Sequence, residues 1–206
     1  MNSPIHQQFD GWLEFAPLTV SALSHRFALR REPPALAPVF PFADSQHVQA
    51  EQVHGNLVAR VTDADHQRVM DGADALVTDS ARLTLAIRTA DCGPVYFFDP
   101  ERRAIGLAHS GRKGTALNIT GATVSAMGGH FGTRARDLVV VLGPCIRPPH
   151  YEVDFAVTIS EQARAAGVEK FYDCGLNTGA DARRFYSYRM ERGKTGRHYA
   201  FLMLNG

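Results

Sequence analysis

The sequence predicts a single domain of mixed α/β (α+β) class over residues 1–206. A length of 206 residues fits one globular domain. Hydrophobic residues make up 45% of the chain and charged residues 21%, which is typical of a folded protein. Segments with strand character and segments with helix character both occur after residue 50. A chain of this size buries roughly 70% of its unfolded surface, so it needs no disulfide.

The first elements follow from local patterns. Residues 1–49 are the less regular N-terminal part, because Pro33, Pro34, Pro38 and Pro41 interrupt any periodicity. Short apolar runs bounded by turn residues then predict strands. Five strands are predicted, at 52–61, 73–79, 83–90, 94–100 and 104–110.

The remaining elements alternate between helix and strand. A glycine-rich turn, GRKG at 111–114, precedes a helix predicted over 115–132. The run DLVVVLG at 137–143 predicts a buried strand, and a second helix is predicted over 155–168, ending near Gly167. The segment from FYSYR to RHYAFLML, residues 185–204, reads as a closing hairpin.

Charge, hydropathy and cysteine usage exclude several classes of protein. The 22 basic residues are balanced by 21 acidic ones without any long basic run, which disfavours nucleic acid as a partner. No apolar run approaches ~20 residues, and MNSPIHQQFDGW lacks the features of a signal peptide. Three cysteines without a CxxC pair indicate free thiols, ligands or nucleophiles in a reducing compartment. The expectation is a soluble, cytoplasmic protein.

One hairpin brings a cysteine near a histidine. PVYFF and AIGLA flank DPERR, which has the turn chemistry of an antiparallel connection. If Phe98 pairs with Ala104, then Gly93 lies opposite His109 at a Cα distance of ~5 Å. The neighbouring Cys92 thiol and the His109 ring are then within reach of one another.

Two chemistries use such a pair. A cysteine beside a histidine can be a thiolate nucleophile. Alternatively, both side chains are ligands that zinc prefers, and a catalytic zinc site has three protein ligands and an open position. His54, in QVHG, is the best candidate for the third ligand. Asp91, beside Cys92, is a candidate general acid or base.

Six motifs in order resemble the YfiH, or laccase-domain, family. They span roughly residues 50 to 200, so the resemblance covers most of the chain. The matching segments are QVHG (52–55), ADALVTD (73–79), TADCGPVYFFDP (89–100), AHSGRKGT (108–115), GPCIRPPHYEV (143–153), and FYSYR with TGR near the end.

The resemblance implies a layered α/β/β/α fold and one Zn²⁺ ion bound by His54, Cys92 and His109. It further implies phosphorolysis of adenosine, inosine or methylthioadenosine and deamination of adenosine, with purine nucleoside and phosphate as small-molecule partners. An amidase or cysteine hydrolase that edits peptidoglycan precursors is the alternative, and a catalytically decayed metal-binding protein is a third. Nine histidines disfavour a multicopper oxidase, which needs about ten as ligands.

The resemblance also nominates residues for catalysis and substrate binding. Cys92 and Asp91 are the catalytic candidates, while Arg26, Gln52, Arg112 and Lys113 are candidates for binding substrate or phosphate. Where the family has Ala-Gly-Trp-Arg-Gly, this chain has SGRKG, and a lysine presents a point charge in place of the planar arginine fork. The departure leaves the preferred substrate open. A monomer is expected.

Overall fold

The computed structural model describes residues 5–31, 40–43 and 45–206. In these residues it has two β-sheets and three α-helices. In chain order the strands are β1 (His6–Phe9), β2 (Trp12–Phe15), β3 (Leu23–Ala28), β4 (Gln46–Ala50), β5 (Leu57–Arg60), β6 (Val69–Met70), β7 (Ala73–Thr78), β8 (Leu83–Thr89), β9 (Gly93–Asp99), β10 (Ala104–Ser110), β11 (Val139–Leu142), β12 (Lys170–Asp173) and β13 (His198–Leu204).

Both sheets contain parallel and antiparallel pairs. The first sheet has seven strands in the order β1-β2-β3-β13-β8-β4-β6, and the second has six in the order β12-β11-β9-β10-β7-β5. β10 is antiparallel to both β9 and β7, so the middle of the second sheet is antiparallel. Because the strands predicted at 73–79, 83–90, 94–100 and 104–110 are β7 to β10, these four predictions are confirmed.

Alternate residues of the central strands face two different apolar layers. In β9 and β10, Phe98, Ile105 and Leu107 pack into a core with side chains of the first sheet. Phe97 and Ala108, on the opposite face, pack into a second core with the helices. This period of two is the pattern that a sheet buried on both faces requires.

The three helices lie against the second sheet. They are α1 (Arg112–Ala116), α2 (Ile119–Phe131) and α3 (Phe155–Ala165), and they contact β10, β7, β5 and β12. Asn118 separates α1 from α2, because its backbone is left-handed and its side chain accepts the N–H of Gly121. The layers therefore follow in the order helices, second sheet, first sheet, and the predicted α+β class is confirmed.

Two predicted elements differ in the structure. The segment 111–114 is not only a turn, because Arg112 begins α1. The closing hairpin at 185–204 is wrong: its second half is β13, but β13 pairs with β3 and β8 instead of with FYSYR. β13 is a central strand, whose partners come from distant parts of the chain.

The N-terminal third is more regular than its composition indicates. β1, β2 and β3 lie within the stretch that the prolines mark as irregular. Pro33, Pro34 and Pro38 themselves lie outside the described residues. The strand predicted over 52–61 is confined to β5, because Gln52 and His54 have left-handed backbone with φ of 68° and 64°. Among the described residues no helix is both long and apolar enough to cross a membrane.

Candidate metal centre and its pocket

The β9–β10 hairpin differs by one residue from its predicted register. Ala104 pairs with Asp99, and His109 pairs with Pro94. The turn is shorter than predicted, because Asp99 extends β9 and its carboxylate accepts the N–H groups of the turn. The shift matters for the site: residues directly opposed point to the same face, and Cys92 is two residues before Pro94. The observed register therefore places Cys92 on the side of His109, which the predicted register would not.

The loop between β4 and β5 carries His54 to the same place. Asp74, in β7, accepts the backbone N–H of His54 at 3.0 Å and that of Gly55 at 2.6 Å. The left-handed backbone at His54 turns the loop towards this carboxylate. The His54 side chain thus reaches the β9–β10 hairpin from a loop that is part of neither sheet.

Three potential ligands converge at this point. One nitrogen each of His54 and His109 and the sulfur of Cys92 lie within 4.8 Å of one another. The two imidazole rings are 4.9 Å apart at their centroids and inclined at 77°. A Cβ added at Gly111 would lie 2.3 Å from the Cys92 sulfur, so only glycine leaves room for the thiol.

Hydrogen bonds redistribute charge within this group. His109 is 3% exposed and its Nδ1 lies 2.9 Å from a carboxylate oxygen of Asp74, which is fully buried. Burial would lower the pKa of His109, but its bonds to Asp74 and Cys92 raise that pKa to about 9. Burial would raise the pKa of Cys92, but its bonds to His109 and His54 lower it to about 6. The unliganded site therefore favours a thiolate beside a protonated imidazole.

The same donors fit a zinc ion. Zinc prefers thiolate and imidazole ligands, and three protein ligands leave a fourth position for a reactant. Asp74 occupies Nδ1 of His109, which leaves Nε2 to face Cys92 and a metal. A carboxylate behind a ligating histidine is the usual support of such a site. Burial would raise the pKa of Asp74, but the hydrogen bond from His109 and the N–H groups of Gly55 and His54 lower it.

A cavity of about 820 Å³ opens on the three ligands. Its wall contains the aromatic side chains of Tyr151, Phe155 and Tyr188. Five arginines also line it: Arg88, Arg112, Arg189, Arg192 and Arg197. Aromatic faces suit a planar base, and guanidinium groups suit an anion.

Three of the residues nominated from the sequence line this cavity with partners already in place. The amide of Gln52 bonds the backbone of Arg88 at both ends, at 2.5 and 2.8 Å. Asp91 accepts the Thr178 hydroxyl at 2.7 Å and the Arg189 N–H at 2.9 Å, so it joins two segments of the wall. Arg112 lies 3.6 Å from Glu152.

Two nominated residues lie outside the cavity. The Arg26 guanidinium is 3.3 Å from Glu14 and 5.7 Å from the centre of the Trp12 ring, on the first sheet. Lys113 is exposed on α1 and does not line the cavity. The structure therefore does not bring Arg26 or Lys113 to the three ligands. The family motif places Lys113 next to Arg112 in the sequence, but the helix directs successive side chains to different faces.

Asp74 and Gly111 contact the His54, Cys92 and His109 group, and the sequence motifs did not single them out. A signal for Asp74 is present, since a carboxylate stands inside the apolar run ADALV and must find buried partners there. Gly111 follows β10 directly, but nothing local shows that a thiol lies against it. The arginines at 88, 189, 192 and 197 meet only in the folded chain.

Comparisons with known proteins bear on this arrangement. The profile described as multi-copper polyphenol oxidoreductase laccase matches residues 28–160 and 153–205. Purine nucleoside phosphorylase YlmD of Geobacillus stearothermophilus is 32% identical over 206 residues, covering 81% of this chain and 75% of the relative. A purine nucleoside phosphorylase of Staphylococcus saprophyticus is 33% identical over 205 residues, covering 81% and 76%. The crystal structure of YlmD from Geobacillus stearothermophilus matches with a TM-score of 0.88 at 26% identity, covering 99% of this chain and 100% of that chain.

Proposed function

Because this chain belongs to the multi-copper polyphenol oxidoreductase laccase family, we propose that it is a zinc-dependent purine nucleoside phosphorylase. The observation that carries the proposal is the cavity of about 820 Å³, which combines arginines and aromatic rings beside a His-Cys-His group. Relatives named purine nucleoside phosphorylase support the same reaction class. Adenosine, inosine and methylthioadenosine are the proposed nucleosides, and phosphate is the second substrate.

In phosphorolysis an oxygen of phosphate forms a bond to C1′ of the ribose while the bond from C1′ to the purine nitrogen breaks. The electron pair of that bond leaves with the base, which takes up a proton, and the sugar departs as its 1-phosphate. The rings of Tyr151 and Tyr188 offer faces on which the base can stack. The arginines of the wall hold phosphate against the sugar, which makes positioning and charge stabilisation their contribution.

His54, Cys92 and His109 would hold the zinc ion. When bound with an open fourth position, zinc polarises a reactant oxygen or activates water, which is the chemistry that adenosine deamination needs. Cys92 serves as the anionic ligand, and Asp74 keeps His109 oriented. We propose deamination of adenosine as a second activity of the same site.

In this proposal the main role of Asp91 and Gln52 is to position other residues of the cavity wall. Asp91 holds Thr178 and Arg189, and Gln52 holds Arg88, so each side chain fixes a segment that carries an arginine. Proton delivery to the leaving base by Asp91 stays a prediction. Arg112, at the start of α1, is proposed to contact the anionic substrate.

A cysteine hydrolase is the second candidate, and one observation favours it. Cys92, His109 and Asp74 form a chain of hydrogen-bonded groups in the order thiol, imidazole and carboxylate. This order is that of a nucleophile, its base and the group that orients the base. An amidase that acts on peptidoglycan precursors would use Cys92 as the attacking atom without a metal.

Turnover with and without phosphate tests the reaction. We expect purified protein to cleave adenosine and inosine only when phosphate is present, and to form ribose 1-phosphate. Replacing Cys92 with alanine should lower this rate by about a hundredfold or more, because the site loses its anionic ligand. Cys174→Ala is the matched control, since Cys174 is buried in the core away from the cavity. Cleavage that proceeds equally well without phosphate would exclude phosphorolysis.

Metal content separates the two candidates. We expect about one zinc ion per chain and loss of turnover on chelation, whereas a cysteine hydrolase keeps its activity after chelation. Gly111→Ala should abolish zinc binding, because the new Cβ would stand 2.3 Å from the Cys92 sulfur. Gly129→Ala is the control: its Cβ meets nothing within 4 Å, and alanine favours the helix by up to about 1 kcal/mol. Equal zinc content in both variants would contradict the assigned ligands.

The proposal extends to the cellular compartment and the oligomeric state of the protein. Cys92, Cys145 and Cys174 are all free, which is typical of a reducing compartment such as the cytoplasm. We also propose that residues 1–206 act as one domain and as a monomer.

A further inference from the structure

The five arginines of the cavity fall into two sets that differ in their partners. Arg112 and Arg189 share the carboxylate of Glu152, at 3.6 and 2.8 Å. The other set, Arg88, Arg192 and Arg197, is here called the basic wall. Within the part of the chain that the structure describes, no carboxylate lies within 4.0 Å of these three guanidinium groups. The basic wall therefore carries uncompensated positive charge.

The nearest acidic side chain in the sequence is already engaged elsewhere. Glu191 precedes Arg192, but its two oxygens are bound by Arg30, by the N–H of Ser187 and by the Thr195 hydroxyl. Burial would raise the pKa of Glu191, but these partners lower it. The Glu191 carboxylate thus stabilises the loop that carries Arg192, but it does not neutralise the Arg192 guanidinium.

Asp91, which also lines the cavity, is likewise occupied by protein donors. Its oxygens accept the Thr178 hydroxyl and the Arg189 N–H. Glu191 and Asp91 therefore hold segments of the cavity wall in place. The positive charge of the basic wall remains available to an anionic ligand that enters from solvent.

The strands of the first sheet bring Arg88 and Arg197 to one side. Arg88 pairs directly with Tyr199 across β8 and β13, so the two side chains share a face. Arg197 directly precedes β13, two residues before Tyr199. Burial raises the pKa of Tyr199, while the charges of Arg88 and Arg197 oppose that rise, which places both near its hydroxyl. Arg88 and Arg197 both line the cavity.

The remaining contacts fix the basic wall in place. Arg197 donates to the carbonyl of Gly196 at 3.0 Å and lies 5.7 Å from the centre of the Tyr188 ring. Arg192 has left-handed backbone, with φ of 52°, and is followed by Gly193 with φ of 84°. These two positions turn the loop so that Arg192 lines the same cavity as Arg88. All three guanidinium-bearing side chains therefore line one cavity, which a single ligand can enter.

We propose that Arg88, Arg192 and Arg197 form a subsite for a phosphate group. Such a group carries about two negative charges near neutral pH and accepts several hydrogen bonds, which matches planar arginine donors. The ligand is either inorganic phosphate or the phosphate of a phosphorylated nucleoside. This inference deepens the proposed function, and it assigns the anion to residues other than Arg26 and Lys113.

Calorimetric titration tests the subsite without any turnover. The probes are inorganic phosphate, inosine 5′-monophosphate and inosine, each added alone to the full chain, so that neither deamination nor phosphorolysis occurs. In Arg88→Gln and in Arg192→Gln, binding of inorganic phosphate or of the monophosphate should weaken by about tenfold, and more in the double variant, because each change removes a charge-assisted contact. Inosine binding should stay within about twofold. Arg183→Gln is the matched control, since the Arg183 side chain is 95% exposed and does not line the cavity.

The outcomes distinguish the two sources of phosphate, and they distinguish failure of the subsite from failure of the proposed reaction. If only inorganic phosphate depends on the arginines, the subsite serves a free co-substrate; if the monophosphate does, the substrate is a nucleotide. Unchanged binding of both in the double variant overturns the proposal, provided that its thermal unfolding matches that of Arg183→Gln. Arginine-dependent binding without phosphorolysis would refute the proposed function and leave the subsite standing.

Discussion

A single carboxylate joins the two histidines of the candidate metal centre. Asp74 bonds the ring of His109 and the backbone of His54 and Gly55, all within 3.0 Å. It is fully buried, so its charge is stable only because these donors surround it. The orientation of both histidines therefore depends on a residue that does not itself belong to the ligand set.

Replacing Asp74 with asparagine should weaken zinc binding by about ten- to a hundredfold. The amide keeps the shape of the side chain but loses the charge that orients and polarises His109. The measurement is competition with a chromogenic chelator. Asp79→Asn, at the exposed end of the same segment, is the control and should bind zinc like the parent protein. Equal affinities in the two variants would show that Asp74 supports the fold alone.

At the level of residues, the sequence predicts those members of the site that belong to motifs. Cys92 and His109 follow from a hairpin, and His54 follows from QVHG. Arg192 could not be found in this way, because its charge is left uncompensated only once Glu191 has taken its other partners. Which cations remain uncompensated is a property of the folded chain.

Two buried histidines connect strands to the segments beside them. His198, at the start of β13, accepts the N–H of Tyr186 at 2.8 Å while its other nitrogen faces the carbonyl of Ala28 at 2.8 Å. His25, in β3, accepts the N–H of Phe15 at 2.7 Å. Burial is the main cause that lowers the pKa of each to about 4. In both contacts a ring nitrogen accepts a backbone N–H, which requires the imidazole to be neutral.

Stability should therefore fall as the pH drops from about 6.5 to about 4. In this window the unfolded chain protonates His25 and His198 while the folded chain does not, so protonation favours unfolding. The loss is on the order of 3 kcal/mol for each ring as an upper limit. Urea unfolding at a series of pH values measures it. His198→Gln should flatten the dependence and His130→Gln, at an exposed helix end, should not; identical pH profiles would contradict the assignment.

Elements that contain a continuous apolar run bounded by turn residues are the ones that the sequence predicts. β7 to β10 are joined by short turns and contain continuous apolar runs, so their pattern identifies them. β3 alternates clearly between buried and partly exposed residues, but its neighbour β13 is more than 150 residues away. Local pattern cannot supply that pairing, which is why the closing hairpin was expected instead.

Across the whole molecule, one sheet belongs to both apolar cores. β9 and β10 send Phe98 and Leu107 towards the first sheet, and Phe97 and Ala108 towards the helices. Loss of packing in one core would expose one face of β9 and β10 and so weaken the strands that also carry the other core. The two layers therefore depend on each other.

We expect the chain to unfold in a single cooperative transition. Trp12, the sole tryptophan, lies in β2 and reports the first sheet by fluorescence. Far-UV circular dichroism reports the helices that pack on the second sheet. Because both cores share β9 and β10, the two signals should give the same midpoint in urea. Separate midpoints would show that residues 1–206 form two folding units.

The attachment of His54 to Asp74 also has a practical consequence. The loop is held by the N–H groups of His54 and Gly55, which donate to the Asp74 carboxylate, so its position does not depend on a coordinated ion. Removal of a bound metal ion should therefore leave an ordered, refillable apoprotein, unlike a zinc finger, which unfolds on chelation. Cobalt could then be introduced as a coloured reporter, and its visible absorption would follow ligand exchange during the reaction.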